Sequence, residues 1–525
     1  MHMEEIKDIE ENIATVPQED DATYDHVIKY TGLFGGVQGL NMMMNVARNM
    51  IVARILGPAG TGIIGNMSNF VELIHHSSDF GMCFSAIKHV SELSEEADRQ
   101  TVSKFIMTVR TLCLLAGLLG TLIALVCAPF TEWTSPLNIV IIAPIVGLLT
   151  VTSGEQAILK GMKQLKKVAL ASVFCTLATL LVTVPIFFLF RFTGIAAALL
   201  INQIAIFAIT LHYSHKVEPY RIGIGSRGQG FKSSRVQEIW TLGKPMIILG
   251  IGYVVAGIFG KGAEYIIRHF IVGQFADIDL GNAEVGLYTA GYSIIVTYAS
   301  YVFTAMEVDF FPRLSAASHD MCRSNTIINR QIEVCALLMA PLLTALVLFM
   351  PHIIHILYSS RYQDAIPMAI CASLFMYFKA FSSPVEYLAL AKGDSRMYML
   401  VELAYDVMIA CMIPFAYTQM GLLGCGLALT LAGAINLVFI YLIYVPRYHF
   451  KFSTRLLSLY AVQFILVSLT IAAVMHNVET HDRIFKWTIG PAALIISTAL
   501  SVFILNKETN IIQNIKAKIR NRITT

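Results

Sequence analysis

Apolar runs of roughly 20 residues, parted by short polar stretches, recur along nearly the whole chain. Each run is continuous, and at about 1.5 Å per residue a helix of that length crosses a hydrocarbon core about 30 Å thick. Helices are expected rather than a barrel, because barrel strands alternate apolar and polar positions and these runs do not. The pattern predicts fourteen spans, near residues 28–56, 60–84, 105–128, 137–159, 168–190, 193–213, 242–272, 284–311, 328–350, 364–382, 397–416, 421–445, 456–475 and 485–505.

Composition agrees: 56% of the residues are hydrophobic and 14% charged, which points to an all-α integral membrane protein. Sorting Lys and Arg into alternate connections places 27 in one set and seven (Arg54, Arg191, Lys261, Arg268, Arg361, Arg483 and Lys486) in the other. By the positive-inside rule the richer set is cytoplasmic, and both termini with it. No cleavable signal peptide is read before the first span. The nine cysteines form no C-x-x-C pair and read as small packing residues. No phosphate-binding glycine loop, H-E-x-x-H motif or sizeable soluble domain appears, so neither an ATP-driven pump nor a metalloprotease is supported, and no enzymatic activity, cofactor, metal site or nucleic-acid partner is expected.

The longest basic connection divides the chain after the sixth span, and the second part resembles the first. "ARILG" leads to "AGTGIIG", and "IIRHFIVG" leads, after an insert, to "AEVGLYTAG", so Arg54 corresponds to Arg268 and Gly62 to Gly286. The organisation expected is an acidic cytoplasmic tail (1–25), a six-helix N-lobe (26–213), a basic cytoplasmic linker (214–241) and a six-helix C-lobe (242–445). Two further helices (446–506) and a basic amphipathic cytoplasmic tail (507–525) follow, the lobes being pseudo-symmetric around a central cavity.

Two stretches, "VARNMIVARILGPAGTGIIGN" (46–66) and "DFFPRLS" (309–315), resemble the MOP exporter superfamily, in particular its lipid-linked oligosaccharide flippases. The resemblance implies a flippase that turns an undecaprenyl-pyrophosphate-linked oligosaccharide from the cytoplasmic to the periplasmic leaflet of a bacterial inner membrane. It implies alternating access between two lobes and a place in O-antigen, lipopolysaccharide or capsule biosynthesis, with a polysaccharide polymerase as a candidate partner. In the related lipid II flippases a similar pattern puts a cavity-lining arginine where this chain has Arg48. Their paired arginines in the second helix are replaced here by His75 and His76, and their early acidic residue falls near Ile63.

Arginine keeps its proton, so Arg48 and Arg54 must find water, an anion or a headgroup. A lipid pyrophosphate needs fixed cations to cross, and the planar guanidinium fork suits phosphate oxygens. The substrate-binding candidates are therefore Arg48, Arg54, His76, Lys261 and Arg268. Arg54, at a span end, can alternatively snorkel to the interface. His75 and His76 point about 100° apart, so at most one of them is expected to face the cavity, with a packing histidine as the alternative, and His76 is chosen. Acids within or beside spans (Glu72, Asp79, Glu155, Glu264, Glu307, Asp309, Glu386, Glu402, Asp406) are candidates for proton or sodium coupling, with Asp79, Glu264 and Asp309 singled out. Lys261, Glu264 and Arg268 lie on neighbouring turns and read as a salt-bridge set. The rival reading is a cation-coupled multidrug antiporter. It shares the two-lobe plan but lacks the last two helices, and its organic-cation substrate does not call for clustered arginines.

Overall fold

The computed structural model describes residues 19–509 apart from 97, 223–232, 299–302, 304–309, 312 and 481–482. The described residues are helical almost throughout. Glu19–Ser78 is one helical run broken at Gly57, whose φ of 68° is a left-handed value that glycine adopts without strain, and Pro58 then starts the next arm. The arms are α1 (19–56) and α2 (58–78). They are followed by α3 (Met82–Glu96), α4 (Arg99–Cys127), α5 (Pro136–Gly161), α6 (Leu165–Phe190) and α7 (Ile195–His215), which complete the N-lobe. The C-lobe contains α8 (Ser233–Gly273), α9 (Ile278–Tyr292, continued by a π-helical turn over Ser293–Tyr298), α10 (Met321–Leu357) and α11 (Ile366–Ala391). It ends with a second broken run, Ser395–Tyr448, hinged at Gly421 (φ 58°) into α12 (395–420) and α13 (422–448). The last pair, α14 (Thr454–Thr480) and α15 (Arg483–Thr509), pack on each other and on α10.

Among the described residues each of the fourteen expected spans has helix beneath it, with three adjustments. The second span is two helices, α2 and α3, because Phe80 (φ 51°) and Gly81 (φ 64°) turn the backbone out of the helix beside Asp79. Residues 19–25, expected in a solvated tail, are the first turns of α1, and Ser233–Thr241 of the expected linker begin α8. The tenth span ends at Ala391 rather than 382, so Lys379, near the end of the expected span and counted with the cytoplasmic set, stands in the middle of α11. Residues 1–18 and 510–525, with most of both expected tails, lie outside the described residues.

Eight helical stretches are long and apolar enough to cross a membrane, and two of them, Leu165–His215 and Ser395–Tyr448, are long enough to cross twice. The spans outside this set belong to α1, whose Asn41, Asn45 and Arg48 face into the N-lobe, and to α2, α8 and α9, whose Asn69, Lys261 and Asn282 face the seam between the lobes. There the backbones touch. A Cβ on Gly62 would overlap the carbonyl of Asn282, and one on Gly286 would overlap the carbonyl of Pro58. Gly62 and Gly286 are 224 residues apart, and so are Pro58 and Asn282. The contact is therefore reciprocal, the signature of a two-fold relation between the halves. Asn66 Nδ2 donates to Asn282 Oδ1 (3.0 Å), and Asn282 Nδ2 to the Trp133 carbonyl (3.1 Å). Farther along, Gly81 and Gly250 bring α8 against the α2–α3 break.

Candidate functional site

Arg48 opens onto a cavity of about 500 Å3 inside the N-lobe, between α1, α5, α6 and α7. Its register is fixed by Asn41, whose Nδ2 donates to Ser172 Oγ on α6 (3.1 Å). Arg48 lies two turns above Asn41, and Thr179 two turns above Ser172, so guanidinium and hydroxyl reach the same depth. That depth is about 12 Å from the α1–α2 turn. Lys160, in the last turn of α5, stands at the other end of the cavity. Four amides (Gln38, Asn45, Gln156, Asn202) and three hydroxyls (Ser172, Thr176, Thr179) line the space between, and no carboxylate does so among the described residues. Thr176 and Thr179 donate to carbonyls of their own helix (3.0 and 2.9 Å), which leaves their oxygens as acceptors. The amides offer both donors and acceptors. Such a lining suits a polyhydroxylated ligand that carries negative charge.

The other predicted cations gather at the seam instead. Lys261 Nζ is 2.9 Å from Glu72 Oε2 across the lobes and 3.4 Å from Glu264 Oε1 on its own helix. Asn69 Nδ2 donates to Glu264 Oε2 (3.0 Å), so four side chains from α2 and α8 form one network. Arg268, 9% exposed, donates through Nη1 to Thr289 Oγ1 (2.9 Å) and packs against Gly65, where a Cβ would stand 2.5 Å from Nη1. Of the expected salt-bridge set, Lys261 and Glu264 pair, while Arg268 reaches toward α9. His76 faces the other lobe, its ring against Gly257 of α8, whereas His75 turns inward to Thr150 Oγ1 (2.8 Å). Asp79, 3% exposed, sits in the α2–α3 break and accepts the Cys83 thiol (3.0 Å). Arg54 lies at the C-terminal end of α1, exposed, with Nη2 on the Ile356 carbonyl of α10 (2.9 Å). It is a lobe-to-lobe tie, away from the Arg48 cavity. Asp309 and Glu307 lie outside the described residues.

A second buried polar site belongs to the C-lobe. Glu386 of α11 takes a hydrogen bond from Asn436 Nδ2 of α13 (2.8 Å), and with Glu402 and Lys379 it lines a cavity of about 30 Å3. A space of that size admits a water molecule or a bare cation. Asp406, one turn beyond Glu402, points at Gly260 of α8, where a Cβ would lie 3.5 Å from its Oδ2. The sequence held these acids only as members of a longer set. Their convergence depends on α11, α12 and α13 folding together, and no spacing along the chain reveals that.

Comparison with solved structures finds the same fold at low identity. The lipid II flippase MurJ in an inward closed conformation superposes with a TM-score of 0.64 at 14% identity, over 91% of this chain and 99% of that one. An inward-facing multidrug resistance MATE transporter of the MOP superfamily gives 0.58 at 13%, over 80% and 95%. A MOP-superfamily transporter from Pyrococcus furiosus gives 0.52 at 13%, over 79% and 94%. No curated protein matches the chain by sequence. Residues 51–367, from the C-terminal end of α1 into α11, match a family model. The seam glycines, the two lobes and that match together make this multi-pass membrane chain a member of the polysaccharide biosynthesis protein family, built on the flippase and transporter fold of the MOP superfamily.

Proposed function

We propose that the protein is a flippase for an undecaprenyl-pyrophosphate-linked oligosaccharide, serving surface polysaccharide synthesis in a bacterial inner membrane. The observation that carries this reading is the Arg48 cavity: a fixed cation at membrane depth, amides and hydroxyls around it, and no carboxylate among the described lining residues. A multidrug antiporter that takes organic cations calls for the opposite polarity. The phosphate charge would be met by Arg48 and Lys160 and the sugar hydroxyls by the amides, so interactions with the protein replace hydration that would otherwise cost many kcal/mol. Both termini are assigned to the cytoplasm on the Lys and Arg distribution. The Glu386–Glu402 pair supports coupling to a proton or sodium ion, since two carboxylates against the single ammonium of Lys379 at a small cavity leave one negative charge that an added cation would balance.

Arg48→Ala should abolish export, with lipid-linked sugar accumulating on the cytoplasmic face at normal protein abundance. Arg48→Lys should restore part of it, because the ammonium keeps the charge and loses the fork. Normal export in Arg48→Ala at normal abundance would overturn the cavity role.

A further inference from the structure

At the cytoplasmic ends of α10, α14 and α15 a cavity of about 600 Å3 lies apart from the Arg48 cavity and the seam. Its polar wall is one face of α10, where Cys322, Thr326 and Arg330 recur at i, i+4 and i+8, with Glu333 next. Its other wall is the turn between α13 and α14. Asn329 Nδ2 donates to the Lys451 carbonyl (2.8 Å), Asn329 Oδ1 accepts from Ser453 N (2.9 Å), and Asn325 Oδ1 accepts from Lys451 N (3.4 Å). These bonds strap the turn to α10 and fix the backbone from which the exposed Lys451 side chain projects, opposite the exposed Arg330. Deeper in, Val334, Leu337, Leu456 and Leu505 make an apolar floor continuous with the membrane-spanning faces.

We propose that this cavity holds an anionic phospholipid of the inner leaflet, its phosphodiester between Arg330 and Lys451 and its acyl chains over the apolar floor. Two cations against the single carboxylate of Glu333 leave the rim positive. Basic pockets between helices on the cytoplasmic side are where anionic headgroups gain most from the protein. The sequence beyond Leu505 adds Lys507, Lys516, Lys518, Arg520 and Arg522, so positive charge continues past this rim along the chain. The lipid would mortise the last helix pair to the C-lobe, because α10 is the C-lobe helix against which both α14 and α15 pack. This inference is independent of the transported substrate.

Native mass spectrometry of the full chain, extracted from membranes containing phosphatidylglycerol and phosphatidylethanolamine, tests it. Wild type should retain phosphatidylglycerol in preference. Each cation is worth roughly a fivefold change in retention, so the double variant Arg330→Gln with Lys451→Gln should lose roughly 25-fold. Arg99→Gln with Lys104→Gln, on a different part of the cytoplasmic surface, should leave retention unchanged. Added phosphatidylglycerol should raise the unfolding temperature of wild type and of Arg330→Lys but not of the double variant. Should the double variant fail to fold, Lys451→Gln alone carries the fivefold expectation. Equal retention of phosphatidylethanolamine by wild type, or unchanged retention when the cations are removed, would overturn the proposal.

Discussion

Arg110 is 2% exposed in the N-lobe, and each of its three side-chain nitrogens is hydrogen-bonded. Nε and Nη2 form a fork on Glu155 (2.7 and 3.0 Å), Nη1 reaches the Pro219 carbonyl (2.8 Å) and Nη2 the Glu218 carbonyl (3.1 Å), while the Tyr220 ring lies 4.8 Å from Cζ. Ser214 donates to the same Glu155 carboxylate, and Ser103 Oγ to Glu218 (2.7 Å). Glu155, one of the coupling candidates in the sequence, is thus the counter-ion that ties the chain leaving α7 to α4 and α5. Glu155→Ala should destabilise the protein by about 3–5 kcal/mol, since it leaves a buried guanidinium without its carboxylate. Thermal unfolding in detergent measures this. Replacing both residues, Arg110→Met with Glu155→Leu, should recover much of the loss. The sequence did not disclose the pair, because the partners stand on different helices, 45 positions apart. Arg48 was legible as an intramembrane cation, and Gln38 and Asn45 lie on its own helix, but Gln156, Asn202 and the three hydroxyls come from three other helices and their convergence was not legible.

At the level of elements, hydrophobic runs located all fourteen spans, and the errors fall where polar residues serve a buried purpose. Ser382, Ser383 and Glu386 look like a span boundary in the sequence, yet they line the inside of α11, which continues to Ala391. Asp79 with Gly81 breaks the second span for a comparable reason, since the break lets α8 approach at Gly250. The glycines at 62 and 286, which the sequence pairs as equivalent positions of a repeat, are where α2 and α9 meet backbone to backbone. Gly62→Ala should therefore oppose closure of the lobes. Overpacking of this kind costs about 1–3 kcal/mol, which shifts an open–closed equilibrium roughly 5- to 150-fold toward open. Spin-label distances across the outer ends of the lobes would register a longer population, and an unchanged distribution with unchanged export would count against the seam as a gate.

For the whole molecule, the charge distribution makes a topological forecast. Cysteines placed in the 213–241 connection should be labelled by membrane-impermeant reagent only after the cells are opened, and those beside Arg361 or Arg483 in intact cells. Labelling of the 213–241 connection from outside would reverse the assignment. Placing Lys379 within α11 rather than in the cytoplasmic set changes the 27-to-7 sorting by a single residue and leaves its direction intact. The reciprocal contacts of Gly62 with Asn282 and of Gly286 with Pro58 have a consequence for assembly as well as for motion. In a homodimer each contact is made twice by identical pairs, and this seam repeats one contact at a constant offset of 224 residues within a single polypeptide. A half-length chain carrying one such helix pair would bury the same contact by pairing with its own copy in the same membrane orientation, so the seam needs nothing that a symmetric dimer lacks except a connecting stretch.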